Sequence, residues 1–98
     1  MRFEGRGKPE GCKLLRVGGE VEDGRLKTLR LRGDFFAYPA EGFERAEARL
    51  TGVPLGELAG VFDREMAAEG VECQGITGRG LAEVIEAALK SSPREGRL

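Results

Sequence analysis

The chain has 98 residues, a length that fits one domain with one modest hydrophobic core. Its 16 basic and 17 acidic residues nearly cancel, so the composition predicts no binding to nucleic acid and none to an anionic membrane. No apolar run approaches the roughly 20 residues that span a bilayer, and residues 1–5 lack an apolar signal region, so we expect a cytoplasmic protein.

Amide side chains are almost absent from the chain, which has no Asn and has Gln74 as its one Gln. Few thermolabile amides together with many charged residues are typical of proteins from thermophiles. A GC-rich genome gives the same bias, and the composition leaves both origins open.

Alternating apolar residues predict a half-buried strand in the first quarter of the chain, with Leu15, Val17 and Val21 on its inner face. Gly18 and Gly19 interrupt this strand. Because glycine weakens a strand and often marks a local irregularity, the pair predicts a bulge.

Asp23-Gly24 is the strongest turn signal in the chain. A two-residue type I′ hairpin turn needs positive φ at both positions, which Gly adopts freely and Asp tolerates. Glu22 and Arg25 flank the turn and are predicted to form a cross-strand charge pair.

The return strand of the hairpin has Leu29, Leu31 and Gly33 on one face. Leu26 falls out of phase with them, which predicts a twist or a bulge close to the turn. A short edge strand is predicted at the N-terminus, with Phe3 as its inward-facing residue.

Three helices are predicted after the hairpin. The first is expected to start at Pro39, which suits a first helical turn, and to end at Gly52. Its apolar positions, Phe43, Ala46 and Leu50, recur at helical spacing.

The second helix is predicted from Leu55 to Gly70, and the third begins after Thr77, a suitable N-cap. Residues 71–76 are expected to form an irregular apolar link and residues 91–98 a flexible tail. The apolar stripes are Leu55, Leu58, Val61, Phe62 and Met66, then Leu81, Val84, Ile85, Ala88 and Leu89. Strands followed by helices predict an α+β fold in one domain over residues 1–90, with a small antiparallel meander of about three strands and about three helices packed on one face.

The chain offers little for catalysis or metal binding. It has no His, and its two cysteines, Cys12 and Cys73, are too few for a zinc or iron–sulfur site. Lys8 and Lys13 near Cys12 would favour a reactive thiolate, but a free surface thiol at the start of a strand is the simpler expectation. Cys73 is expected to be a small core residue.

Gly75, Gly78 and Gly80 lie at the start of the third predicted helix. Their spacing fits neither the G-x-G-x-x-G fingerprint nor the phosphate-binding loop with its Lys and Ser or Thr. We therefore expect flexible glycines at a helix start and no phosphate site.

The second hairpin strand runs into two adjacent aromatic residues, Phe35 and Phe36, directly after Gly33 and Asp34. Asp34 is expected either to cap the turn through its carboxylate or to face a partner protein. Neighbours on an extended chain point to opposite sides, so Phe35 and Phe36 rarely enter the same core. One of them is free to cover a helix or to bind another protein.

Several short motifs resemble the C-terminal accessory domain of lipoate–protein ligases, over about residues 5–90. The Gly-Asp-Phe-Phe motif at 33–36 matches the family pattern fully. The Leu-Thr-Gly end of a helix at 50–52 and the Gly-Ile-Thr start of another at 75–77 are also similar. The segment at 9–13 departs from the family's usual Pro-Gly-Gly-Lys-Leu in spacing and by one glycine.

The resemblance implies a ligase in two parts. In that family a large catalytic domain binds ATP, Mg and lipoate, makes lipoyl-adenylate and passes the lipoyl group to a lysine of an acceptor domain. The small domain carries no reacting group, packs against the large one and is needed for activation, and in some organisms it is a separate polypeptide. A 98-residue chain that starts at Met1 without a catalytic part would fit that separate form, a subunit with no cofactor of its own.

The surface that meets the catalytic subunit is expected to contain Lys13, Gly33, Asp34, Phe35 and Phe36. Two alternatives to this function remain. An iron–sulfur scaffold protein has a similar shape but needs three cysteines, where this chain has two. A generic protein-interaction module unrelated to lipoate is the other.

Overall fold

The computed structural model describes residues 1–91, and the α+β fold predicted from the sequence is confirmed. The predicted tail at 91–98 lies outside the described residues, apart from Ser91 at the end of the last helix. The elements are β1 (Arg2–Gly7), β2 (Leu15–Glu22), β3 (Arg25–Gly33), β4 (Phe36–Tyr38), α1 (Ala40–Ala48), a 3₁₀ turn (Leu55–Glu57), α2 (Leu58–Ala68), β5 (Glu72–Gln74) and α3 (Gly78–Ser91).

The strands β1, β2 and β3 form an antiparallel meander in that order. The predicted hairpin turn is confirmed, because Asp23 and Gly24 both have positive φ, 55° and 75°. Glu22 and Arg25 lie opposite each other as predicted, but they do not form the expected charge pair. Glu22 instead makes its salt bridge with Lys27, at 3.1 Å.

One extra residue interrupts the pairing of β2 with β3 close to the turn. Glu20 lies opposite Thr28 and Val21 lies opposite Leu26, so Lys27 has no partner position on β2. This bulge turns Leu26 into the core, where it is fully buried. The bulge predicted from the phase of Leu26 is therefore confirmed, whereas the one predicted at Gly18 and Gly19 is wrong, because the register runs regularly through both.

The core lies between the inner face of the meander and α3. Helix α3 packs against β1 and β2, and Ala88 approaches Gly5 so closely that a methyl group on Gly5 would clash with it. Burying one large apolar side chain stabilises a fold by roughly 1.5–3 kcal/mol. The buried core residues include Phe3, Leu15, Val17, Leu31, Leu81, Val84 and Ile85.

Helix α2 packs against α3. Two polar contacts stabilise the N-terminus of α3. Thr77 is the N-cap as predicted, since its hydroxyl accepts the Gly80 N–H at 2.9 Å. From α2, the Asp63 carboxylate accepts the Gly78 N–H, also at 2.9 Å. Both contacts satisfy amide donors that the first turn of a helix leaves without intrahelical partners.

The glycines at the start of α3 were expected to be merely flexible, and that expectation is wrong for two of them. Gly78 and Gly80 are buried. A Cβ on Gly78 would overlap the carbonyl oxygen of Ala59 in α2, and one on Gly80 would overlap the sulfur of Cys12. Close packing therefore requires a residue without a side chain at both positions.

Three features differ from the sequence predictions. The second helix was predicted to start at Leu55, but Leu55–Glu57 form a 3₁₀ turn and α2 starts at Leu58. Helix α1 ends at Ala48, before the predicted Gly52, and a turn carries Leu50 into the core where it is fully buried. The predicted irregular link contains a strand, β5, which pairs with β4 in a separate two-stranded antiparallel sheet. Strands of three residues are too short to display a period of two.

No helix within residues 1–91 is long and apolar enough to cross a membrane.

Candidate docking surface

The two-stranded sheet carries a pair of exposed aromatic side chains. Phe36 and Tyr38 lie two residues apart on β4, so they point to the same side, and their exposed fractions are 54% and 64%. Their partners on β5 are Gln74 and Glu72. We call this sheet the aromatic ribbon.

Phe35 points away from the exposed side of the aromatic ribbon. Its ring packs against Phe43 of α1 with 5.6 Å between centroids and a 38° tilt, and it is half-buried. The arrangement matches the expectation that adjacent aromatics take opposite sides. Phe35 therefore anchors β4 to α1, and Phe36 is left in solvent.

Asp34 connects the meander to the aromatic ribbon. Its backbone N–H donates to the Leu14 carbonyl at 3.0 Å. Within residues 1–91 its exposed carboxylate has no hydrogen bond or salt bridge, so the cap expected as one alternative is not formed. Gly33, just before it, pairs with Leu15, and a Cβ there would overlap the Leu14 carbonyl oxygen.

Lys13 lies beside the same junction. Its backbone N–H donates to the Gly75 carbonyl at 2.9 Å. Gly75 lies between Lys13 and Phe35. A Cβ on Gly75 would come within 2.6 Å of Lys13 Cγ and 3.3 Å of Phe35 Cα, so the packing leaves no room for a side chain at Gly75. The structure thus brings Lys13, Gly33, Asp34 and Phe35 together at one end of the aromatic ribbon, next to Phe36.

Tyr38 is the second residue of the exposed pair. The sequence did not predict it as a candidate surface residue. Pro39, the predicted start of the first helix, follows it directly, and no strand is predicted there. An available signal was the i, i+2 spacing of Phe36 and Tyr38, which places two aromatics on one face of any strand that contains both.

Cys12 is buried, so the expected surface thiol is wrong. Its sulfur lies 3.7 Å from the Thr77 hydroxyl, under the first turn of α3. Cys73 is half-buried against the core, and burial raises the pKa of its thiol. Both cysteines are free, and residues 1–91 contain no cluster of three or more metal-binding side chains.

No family model matches the chain. A curated relative is the lipoate-protein ligase A subunit 2 of Thermoplasma acidophilum, which is 29% identical over 63 residues. The alignment covers 64% of this chain and 66% of that protein, so the chain spans just under two thirds of the relative's length.

A solved chain from the same organism has a similar fold. It comes from the structural analysis of an archaeal lipoylation system, a bipartite lipoate protein ligase and its E2 lipoyl domain. The TM-score is 0.70 at 21% identity, over 87% of this chain and 94% of that chain. The resemblance drawn from the motifs is therefore confirmed by a relative in sequence and by a solved chain in fold.

Proposed function

We propose that this protein is the non-catalytic accessory subunit of a bipartite lipoate–protein ligase. With a catalytic subunit, it is required for the ATP-dependent activation of lipoate to lipoyl-adenylate. The observation that carries the proposal is the sequence similarity to subunit 2 of a lipoate-protein ligase. The fold shared with a chain of an archaeal lipoylation system agrees with it.

The reacting groups belong to the catalytic partner in this proposal. Residues of that partner bind ATP, Mg and lipoate, as the resemblance to the ligase family implies. The acidic side chains of the present chain lie mostly on exposed surfaces. Burial raises the pKa of Glu47, and the positive charge of Arg32 opposes that effect.

The aromatic ribbon is the part of the surface best suited to contact the catalytic subunit. Exposed aromatic side chains are common anchors of protein interfaces, because they bury a large area at a small entropic cost. Asp34 and Lys13 supply polar contacts at the ribbon's end. Closure of this surface over the partner's active site would exclude water from the adenylate and order the loops that hold it.

A cytoplasmic location is part of the proposal, since lipoate activation uses ATP and both cysteines are free thiols. The iron–sulfur alternative has little to support it. Cys12, the residue that echoes a scaffold cysteine, lies buried beneath α3.

The proposal is tested by mixing the purified chain with the catalytic subunit encoded in the same genome. Lipoate-dependent release of pyrophosphate from ATP is followed with and without the chain. We expect release to require both proteins. Equal release by the catalytic subunit alone would exclude an accessory role.

A further inference from the structure

The outer face of the meander, turned away from α3, concentrates positive charge. It carries five of the chain's arginines: Arg2, Arg6, Arg16, Arg30 and Arg32. Three glutamates share this face, Glu4, Glu20 and Glu22, the last of which pairs with Lys27. The chain as a whole has a formal charge of −1, so the excess of arginine is local to this face. We call it the arginine face.

Three of these arginines stand in one row across the sheet. Arg16 on β2 is the register partner of Arg6 on β1 and also of Arg32 on β3. Adjacent strands lie about 4.8 Å apart, so the row spans about 10 Å. Like charges directly opposite each other destabilise a sheet, and the isolated fold therefore gains nothing from this row.

Several charged side chains elsewhere in the structure are paired. Arg49 forms salt bridges with Glu65 and Glu69 that connect α1 to α2. In contrast, no salt bridge within residues 1–91 involves Arg6, Arg16 or Arg32.

A shallow depression lies beside the row. It measures about 260 Å³ and is lined by Arg16, Arg30 and Arg32, by Val17 and Gly18, and by one carboxylate residue, Glu4. The Arg30 guanidinium lies against Gly18, where a Cβ would come within 2.7 Å of Nη2. Arg30 therefore covers Gly18, which is buried, and the guanidinium groups of Arg16, Arg30 and Arg32 lie around the depression. Each guanidinium group can bind a carboxylate through two parallel hydrogen bonds.

We propose that the arginine face docks a cluster of carboxylates on the surface of the catalytic ligase subunit. This inference rests on the proposed function, which supplies the partner, and it adds a second contact region to the aromatic ribbon. Carboxylates of the partner provide opposite charge for the Arg6–Arg16–Arg32 row, whose members form no salt bridge within residues 1–91. A nucleic acid fits less well, because the face has three glutamates and no aromatic side chain on which a base could stack.

The test measures the dissociation constant of the complex with the catalytic subunit for the wild type and for Arg16→Glu. Arg64→Glu is the matched control, because Arg64 is an exposed arginine of α2 and the change of charge is the same. We expect Arg16→Glu to weaken binding at least about tenfold and to flatten its dependence on salt, with Arg64→Glu near the wild type. Since Arg16 is exposed, Arg16→Glu should melt no lower than the wild type.

Three results would overturn the inference. Unchanged binding by Arg16→Glu would remove the arginine face as a docking site and leave the proposed function intact. Absence of any complex with the wild type would refute the proposed function and this site together. A duplex DNA probe that binds at about 0.15 M salt and depends on Arg16, when the catalytic subunit does not, would reassign the face to nucleic acid.

Discussion

Phe36 and Tyr38 project from the same side of β4, and each leaves more than half of its surface in solvent. The neighbouring Phe35 turns the other way and packs on Phe43 of α1. Three aromatic residues within four positions thus divide into an anchor for the fold and a pair available to a partner.

Replacing Phe36 tests the role of the exposed pair. Phe36→Ala should weaken association with the catalytic subunit by about 2 kcal/mol, as the loss of an aromatic anchor at an interface does. The stability of the isolated chain should change by less than about 0.5 kcal/mol, because the side chain is mostly exposed. Titration calorimetry and thermal melting measure the two effects.

Phe35→Ala is the contrasting variant on the adjacent residue. It removes the ring that packs on Phe43, so we expect a loss of stability of about 1–3 kcal/mol. Chemical denaturation measures the change. A larger loss of stability for Phe36→Ala than for Phe35→Ala would mean that the two rings do not have the roles assigned to them.

The close approach of α3 to α2 predicts opposite effects for two glycines. Gly78→Ala should cost about 1–3 kcal/mol, because its methyl group would overlap the Ala59 carbonyl. Gly60→Ala, within α2, meets open space and should stabilise by about 0.5–1 kcal/mol through better helix propensity. Urea denaturation measures the free energy of unfolding of both variants. Equal changes in that free energy would contradict the close packing of Gly78 against Ala59.

The N-cap of α3 can be tested separately from its packing. Thr77→Ala removes the hydroxyl that accepts the Gly80 N–H and should cost about 1 kcal/mol. Thr77→Ser keeps that hydroxyl and should retain most of the stability. Thermal melting compares the two variants. Equal melting temperatures would mean that the Thr77 hydroxyl does not stabilise the helix.

Local patterns in the sequence predicted the meander, the hairpin turn, the bulge near Leu26 and the Thr77 cap, because each depends on neighbouring residues. The second sheet escaped prediction because β4 and β5 are three residues long and pair only through the tertiary fold. Cys12 was expected at the surface, since nothing local indicates that Gly80 will lie over it.

The two candidate surfaces also differ in whether the sequence predicted them. The Gly-Asp-Phe-Phe motif pointed to the end of the aromatic ribbon. The nearly neutral composition does not indicate the arginine face. The register of three strands was needed to place Arg6, Arg16 and Arg32 in one row.

The ion pairs between α1 and α2 predict a pH dependence of stability. Hydrogen bonds from Arg49 and Arg45 lower the pKa of Glu69 below its ordinary value of 4.5. A lowered carboxyl pKa stabilises the fold above the unfolded value and loses that contribution as the pH falls through the folded value. The melting temperature of Glu69→Gln should therefore lie below that of the wild type at pH 7, and the difference should vanish well below pH 4.5.

Glu86→Gln is the control for that experiment, since Glu86 is an exposed glutamate of α3. It should follow the wild type across the whole pH range. A constant difference between Glu69→Gln and the wild type down to pH 2 would show that the side chain stabilises by packing and not by charge.

In the proposed function, the chain is needed for the activation of lipoate and performs no chemistry itself. The most direct test gives the catalytic subunit either lipoate with ATP or preformed lipoyl-adenylate, each with and without this chain, and measures lipoylation of an acceptor domain. We predict that the chain is required with lipoate and ATP and is dispensable with lipoyl-adenylate. Formation of adenylate by the chain alone, or equal rates without it from lipoate and ATP, would contradict the claim.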